Sequence, residues 1–114
     1  VATLNDLIEG LERLKAQHID ALILQGPDFY VQAALDGQSQ FRLEAVSDEF
    51  LDQPLTTAQL LALRRLGFQP PGPPSPNHWQ YAAATDLTAA AEMLATTLLE
   101  VYQERLEDAE VVDV

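Results

Sequence analysis

The chain has no cysteine. That removes disulfides, thiolate metal ligands and cysteine nucleophiles together, and it suits a reducing compartment. Cationic residues are scarce: 6 Lys and Arg stand against 18 Asp and Glu, for a net charge of −12. Nucleic acid and anionic lipid both require cations on the protein, so neither is an expected partner. A basic protein partner would be steered toward such a surface. Long apolar runs are also missing. Runs such as Ala21–Leu24 and Ala82–Ala84 fall far short of the roughly 20 residues of a membrane span. The opening Val1–Asp6 has neither the basic stretch nor the long apolar stretch of a signal peptide, and a cytoplasmic location is expected. The only histidines, His18 and His78, lie far apart, and zinc takes three or four ligands. No phosphate-binding glycine loop, nucleophile elbow or zinc-binding His pair is present. No catalytic residue, metal or cofactor is assigned, and an enzyme is not expected.

What is present is a globular composition, with 47% apolar residues in 114. That is enough for one modest core, and a single domain over 1–114 is expected. Leu4, Leu7, Ile8, Leu11 and Leu14 recur at helical spacing, behind a hydroxyl cap at Thr3. Ala21–Gln25 is apolar without alternation and reads as a central strand covered on both faces. Phe29–Leu35 and Phe41–Val46 read as a hairpin about Asp36-Gly37, with Phe29, Val31, Ala33 and Leu35 sharing one face of the first strand and Phe41, Leu43 and Ala45 one face of the second. Ser47–Leu51 is a loop or one helical turn.

Thr56-Thr57-Ala58-Gln59 carries a capping-box pattern, and the helix it opens holds Leu60, Leu61, Leu63 and Leu66 before Gly67 closes it. Gln69–Pro76 holds five prolines in eight residues, which predicts a stiff, extended connector. Asn77–Ala82 reads as a short strand with Trp79 and Tyr81 on one face. Thr85 is the expected cap of a last helix with a stripe at Leu87, Ala90, Ala91, Leu94, Leu98 and Val101. An acidic tail begins near 104. Its like charges at helical spacing predict fraying unless something holds it, although Val111, Val112 and Val114 offer a sticky edge. The predicted fold is α+β, an antiparallel β-meander with packed helices in the order α-β-β-β-α-β-α.

Chemistry-bearing residues give no constellation. The acids lie mostly on predicted helix exteriors, where a solvated face is the simpler reading. Ser47, Asp48, Glu49 and Asp52 lack the glycine and spacing of a calcium loop. Arg42, Arg64 and Arg65 could meet an anion, and more simply neutralise acids such as Glu44. Arg42, Glu44 and His78 form the least implausible polar set for a ligand pocket. The apolar surplus is the stronger signal. Three helical stripes compete for one small sheet, and a leftover apolar patch marks an association site. Phe29, Val31, Leu35, Phe41, Leu99 and Tyr102 are the candidate partner-binding residues, and a homodimer is expected on the same ground.

The order of several short motifs adds a resemblance. Tyr30-Val31-Gln32, Glu44-Ala45-Val46-Ser47, Leu51, Leu66-Gly67-Phe68, Pro70-Pro71 and Asn77-His78-Trp79 follow one another as in type III secretion chaperone-like domains, including YbjN-type and actinobacterial TY-Chap proteins. The chain resembles that family over most of residues 4–103. The resemblance implies a compact α+β domain, often dimeric, in a bacterial cytosol, that binds a protein partner and performs no reaction. Glu44 and Ser47 would fix a loop and Trp79 would pack. The expectation is therefore a chaperone-like module burying an apolar segment of a protein partner. The alternatives are a small ligand-binding or enzymatic domain, and a structural or regulatory dimerisation domain.

Overall fold

The computed structural model describes residues Val1–Val114. Helix α1 spans Leu4–Lys15, and strands β1 (Leu22–Gln25), β2 (Tyr30–Asp36) and β3 (Gln40–Ala45) follow. A 3-10 turn at Asp48–Phe50 leads to helix α2 (Thr57–Arg65), strand β4 (His78–Ala83) and helix α3 (Leu87–Tyr102). After a second 3-10 turn, strand β5 (Glu110–Asp113) ends the order. The predicted α-β-β-β-α-β-α order is the observed one, with β5 added. All pairings are antiparallel, in the sheet order β4-β3-β2-β1-β5. No helix is long and apolar enough to cross a membrane.

Local chemistry explains the ends of these elements. Thr3 accepts the Asp6 N–H at 3.1 Å while the Asp6 carboxylate accepts the Thr3 N–H at 2.9 Å, so two orphan donors at the start of α1 are satisfied reciprocally. Thr56 and Gln59 do the same for α2. The cap of α3 is Asp86, which accepts the Ala89 N–H at 3.0 Å; the expected Thr85 is one residue too early. Asp36 pairs with Gln40 across a turn in which Gly37 takes φ 71°, as the Asp-Gly signal predicts.

Helices α1 and α3 cover one face of the sheet. Leu7, Leu11 and Leu14 of α1 and Ala90, Ala91, Leu94, Leu98 and Val101 of α3 pack on Leu22, Leu24, Val31, Ala33, Phe41, Leu43 and Ala45. Each fully buried leucine contributes about 1.5–3 kcal/mol by leaving water. The register places Ile23, Gln32, Arg42, Glu44, Trp79 and Val112 on the opposite face, which no helix covers. Strand β1 is therefore covered on one side only: Leu22 and Leu24 are buried, and Gln25 is exposed. The absence of alternation came from Ile23, an apolar residue on the open face.

The acidic tail is a strand rather than a frayed end. β5 pairs with β1, Val114 N–H donates to the Ala21 carbonyl at 2.9 Å, and Arg13 grips Asp113 through two bonds of 2.9 and 3.0 Å. Local like-charge repulsion of a few tenths of a kcal/mol per pair is outweighed by ladder hydrogen bonds and a bidentate cation. The proline tract also departs from expectation. Gly72 and Ser75 exchange backbone bonds of 2.9 and 2.6 Å, so the segment folds back on itself instead of running extended.

Candidate functional site

Helix α2 and its C-cap Leu66 carry four leucine positions and bury one of them. Leu63 is in the core, whereas Leu60 and Leu61 are 43% and 51% exposed. The expected inward stripe fails because α1 and α3 already fill the covered face, leaving α2 to lie against the flank of α3 at the β4 end of the fold. Gly67, at φ 98°, stops the helix and turns the chain toward the sheet. Gln69 then pairs with Trp79 on the outer edge of β4, through bonds of 2.7 and 3.2 Å. Between helix and edge lies a groove of about 590 Å³ lined by Leu60, Leu63, Arg64, Phe68, Pro70 and His78. Past that single bridge the β4 edge continues to Tyr81, which is 42% exposed and meets Trp79 edge-on with ring centres 5.5 Å apart.

The open sheet face holds one dense polar cluster. Glu44, only 5% exposed, accepts from Gln32 Nε2 at 3.1 Å, Arg42 Nε at 2.8 Å, Ser75 Oγ at 2.7 Å and Asn77 Nδ2 at 3.1 Å. Asn77 Oδ1 in turn accepts the Ser47 N–H at 3.2 Å, and Ser47 Oγ donates to the Pro76 carbonyl at 2.7 Å. The cluster clasps the folded-back proline segment to the sheet, the loop-fixing role that the resemblance implies for Glu44 and Ser47. Burial pushes the Glu44 carboxyl up, but the four hydrogen bonds outweigh it and hold the group below the usual carboxylate range. Arg42 neutralises Glu44 as the sequence suggests.

His78 does not join this cluster. Ala45 and His78 are register partners, as are Glu44 and Trp79, so Glu44 and His78 project from opposite faces of the sheet. Burial lowers the His78 pKa against the opposing pull of Asp48. Arg42, Glu44 and His78 therefore do not converge on a shared pocket.

The candidate partner-binding residues separate into three groups. Val31 and Phe41 are fully buried under the helices. Tyr102 is buried too, donating its hydroxyl to the Val46 carbonyl at 2.9 Å and stacking on the part-buried Phe29 with ring centres 4.6 Å apart; burial raises its pKa well above the usual phenol value. Leu35 is part-buried at the end of β2. Leu99 alone is well exposed, at 51%, and lines an apolar groove of about 550 Å³ with Ala2, Ala95 and Leu106. Sequence reasoning missed Leu60, Leu61 and Tyr81 as surface residues. The signal was there for α2: adjacent leucines at 60 and 61 point about 100° apart on a helix, so no single face holds all four.

This architecture, an antiparallel meander with helices on one face, has a counterpart among known families. The chain matches the family model described as TY-Chap3, "T3SS (YopN, CesT) and YbjN peptide-binding chaperone 3", over residues 2–107. No curated protein and no solved structure matches it. With residues 2–107 of 114 inside that match, the chain belongs to the TY-Chap3 family of type III secretion and YbjN peptide-binding chaperone domains.

Proposed function

We propose that the chain binds an extended apolar segment of a protein partner along the α2 flank and the outer edge of β4. One observation carries this: α2 presents Leu60 and Leu61 to solvent beside an edge strand that is paired only at Trp79. An edge strand offers unpaired N–H and C=O groups, so an extended segment can add to it by main-chain hydrogen bonds. Alternate side chains of that segment would then fall into the Leu60–His78 groove and onto the Trp79–Tyr81 pair. The net charge of −12 favours partners that are neutral or basic around the apolar positions. The family description, peptide-binding chaperone, supports the same reading. The lack of cysteine suits a partner met in a reducing cytosol.

Trp79 is the chain's single tryptophan and reports on this edge directly. Titration with a synthetic peptide of alternating valine and lysine should change its fluorescence and saturate. Leu60→Glu with Leu61→Glu should weaken binding by about tenfold or more while leaving the melting temperature within a few degrees, because both positions are already wet. Equal affinity in the double variant, or no saturable binding by the parent chain, removes the proposal. A homodimer joined through the same leucines would instead show as a doubled mass in light scattering that the double variant abolishes.

A further inference from the structure

We infer that β5 is a displaceable strand that masks a second strand-accepting edge, β1, and that the segment able to replace it is a neutral or basic extended stretch of a partner protein. The inference uses the reading that this chain binds extended segments, but concerns a different edge from the α2–β4 surface. Four observations support it. β5 has only four residues, none of them buried. It lies beyond residue 107, where the family match ends, so the matched portion of the sheet ends at β1. A buried Ala109 anchors the chain immediately before it, which lets the strand swing without disturbing the core. Its charge is wrong for its place.

That last point decides the chemistry of the replacement. Glu110 and Asp113 of β5 share a groove with Asp6 and Glu9 of α1, and the one cationic side chain there, Arg13, is already committed to Asp113. Val111 and Val112 supply the apolar contact, with Val112 opposite Ile23 on the open face and Val111 opposite Leu24 on the covered one. The ladder, the valines and the Arg13–Asp113 pair hold β5 on β1, while Asp6 and Glu9 oppose its other acid, Glu110. A segment with the same adjacent valines, a lysine in place of Glu110 and an acid kept opposite Arg13 retains the ladder and the ion pair and exchanges the repulsion at Glu110 for attraction. β5 thus resembles a weak ligand attached in cis, and a partner must outcompete it before pairing with β1.

The test keeps the full chain. In a Leu60→Glu, Leu61→Glu background that silences the α2 surface, Asp113→Ala should loosen β5 and raise affinity for a Lys-Val-Val-Asp peptide about three- to fivefold, the scale of an exposed ion pair. The amide resonances of Ile23 and Gln25 should shift on titration. Gln25→Cys with Glu110→Cys, opposite each other in the register, should abolish those shifts when oxidised and restore them on reduction, since no other cysteine interferes. A Glu-Val-Val-Asp peptide, which keeps the repulsion, should bind clearly more weakly, and equal affinity of the two peptides would overturn the charge argument. If the β1 amides stay unmoved by peptide in the Asp113→Ala chain, or move equally in the oxidised lock, the inference fails. Peptide binding lost through Leu60 and Leu61 in the parent chain would survive that failure. Dimerisation of the Asp113→Ala chain in place of peptide binding would also overturn it, by making a second copy the occupant.

Discussion

Ser75 Oγ donates to Glu44 Oε1 at 2.7 Å, joining residues 31 positions apart. This bond, with those from Asn77, Gln32 and Arg42, makes one carboxylate the fastening point for the proline segment. Glu44→Gln removes the charge that strengthens all four bonds and should cost about 2–3 kcal/mol, the scale of hydrogen bonds to a buried charged group. The sign with pH follows from a folded pKa below the usual value. The stabilisation is present above the unfolded glutamate pKa and is lost as pH falls through the lower, folded one. Urea titrations of parent and Glu44→Gln chains should therefore differ most near neutrality and converge in strong acid. A constant difference across that range would show that Glu44 acts through packing alone.

His78 should produce a separate loss at higher pH. Its folded pKa lies below the ordinary value because burial disfavours the imidazolium. Above an unfolded pKa of about 6.5 it costs nothing; below that, the unfolded chain takes up a proton that the folded chain resists, and stability falls until the folded pKa is reached. His78→Gln should flatten the stability profile between neutrality and the lowered folded pKa. An unchanged slope there would assign the loss to other groups.

Glu104 is a second fastening point. Its carboxylate accepts the N–H groups of Asp28 and Phe29 at 2.9 and 3.1 Å, placed there because Gln103 takes the left-handed conformation, φ 59°, and reverses the chain after α3. A Cβ at Gly26 would overlap Glu104 Oε1. Gly26→Ala and Glu104→Ala should each cost roughly 1–3 kcal/mol, by stranding the same two donors. Because they act through shared bonds, the double variant should cost clearly less than their sum in chemical denaturation; strict additivity would refute the link.

The leucines of α2 should differ sharply in their contribution to stability. Leu63→Ala empties a core position and should cost about 2–5 kcal/mol. Leu61→Ala, at a half-wet position, should stay within about 0.5 kcal/mol. Similar losses in thermal or urea unfolding would mean that α2 packs more tightly than the observed exposure allows.

Local signals were legible in the sequence and tertiary ones were not. The Thr3 cap, the Thr56–Gln59 capping box, the Asp36-Gly37 turn and the stop at Gly67 all act within a few residues, so residue type and spacing suffice to find them. Glu44 was harder to place. Alternation correctly puts it on the face away from Leu43, where water is expected. It is buried because Ser75 and Asn77 return to cover it from thirty residues away. The candidate site was divided in the same way: Leu99 was found outside, Val31 and Phe41 lie inside, and the exposure of Leu60 and Leu61 was unforeseen.

The sequence by itself determined the three helices, the first four strands and the α+β order, because those follow from periodicity and caps. Only the tertiary structure decided how limited space is shared. One sheet face has room for α1 and α3, so α2 keeps two leucines in water. An unpaired β1 edge captured an acidic tail whose own charges argue against order. Both outcomes depend on competition among distant segments for the same surface, and no local window of residues contains that competition. The Tyr30–Phe50 and Leu63–Tyr81 stretches carry the family signature, while the partner-facing features, α2's wet leucines and the two sheet edges, were set by what the core left over.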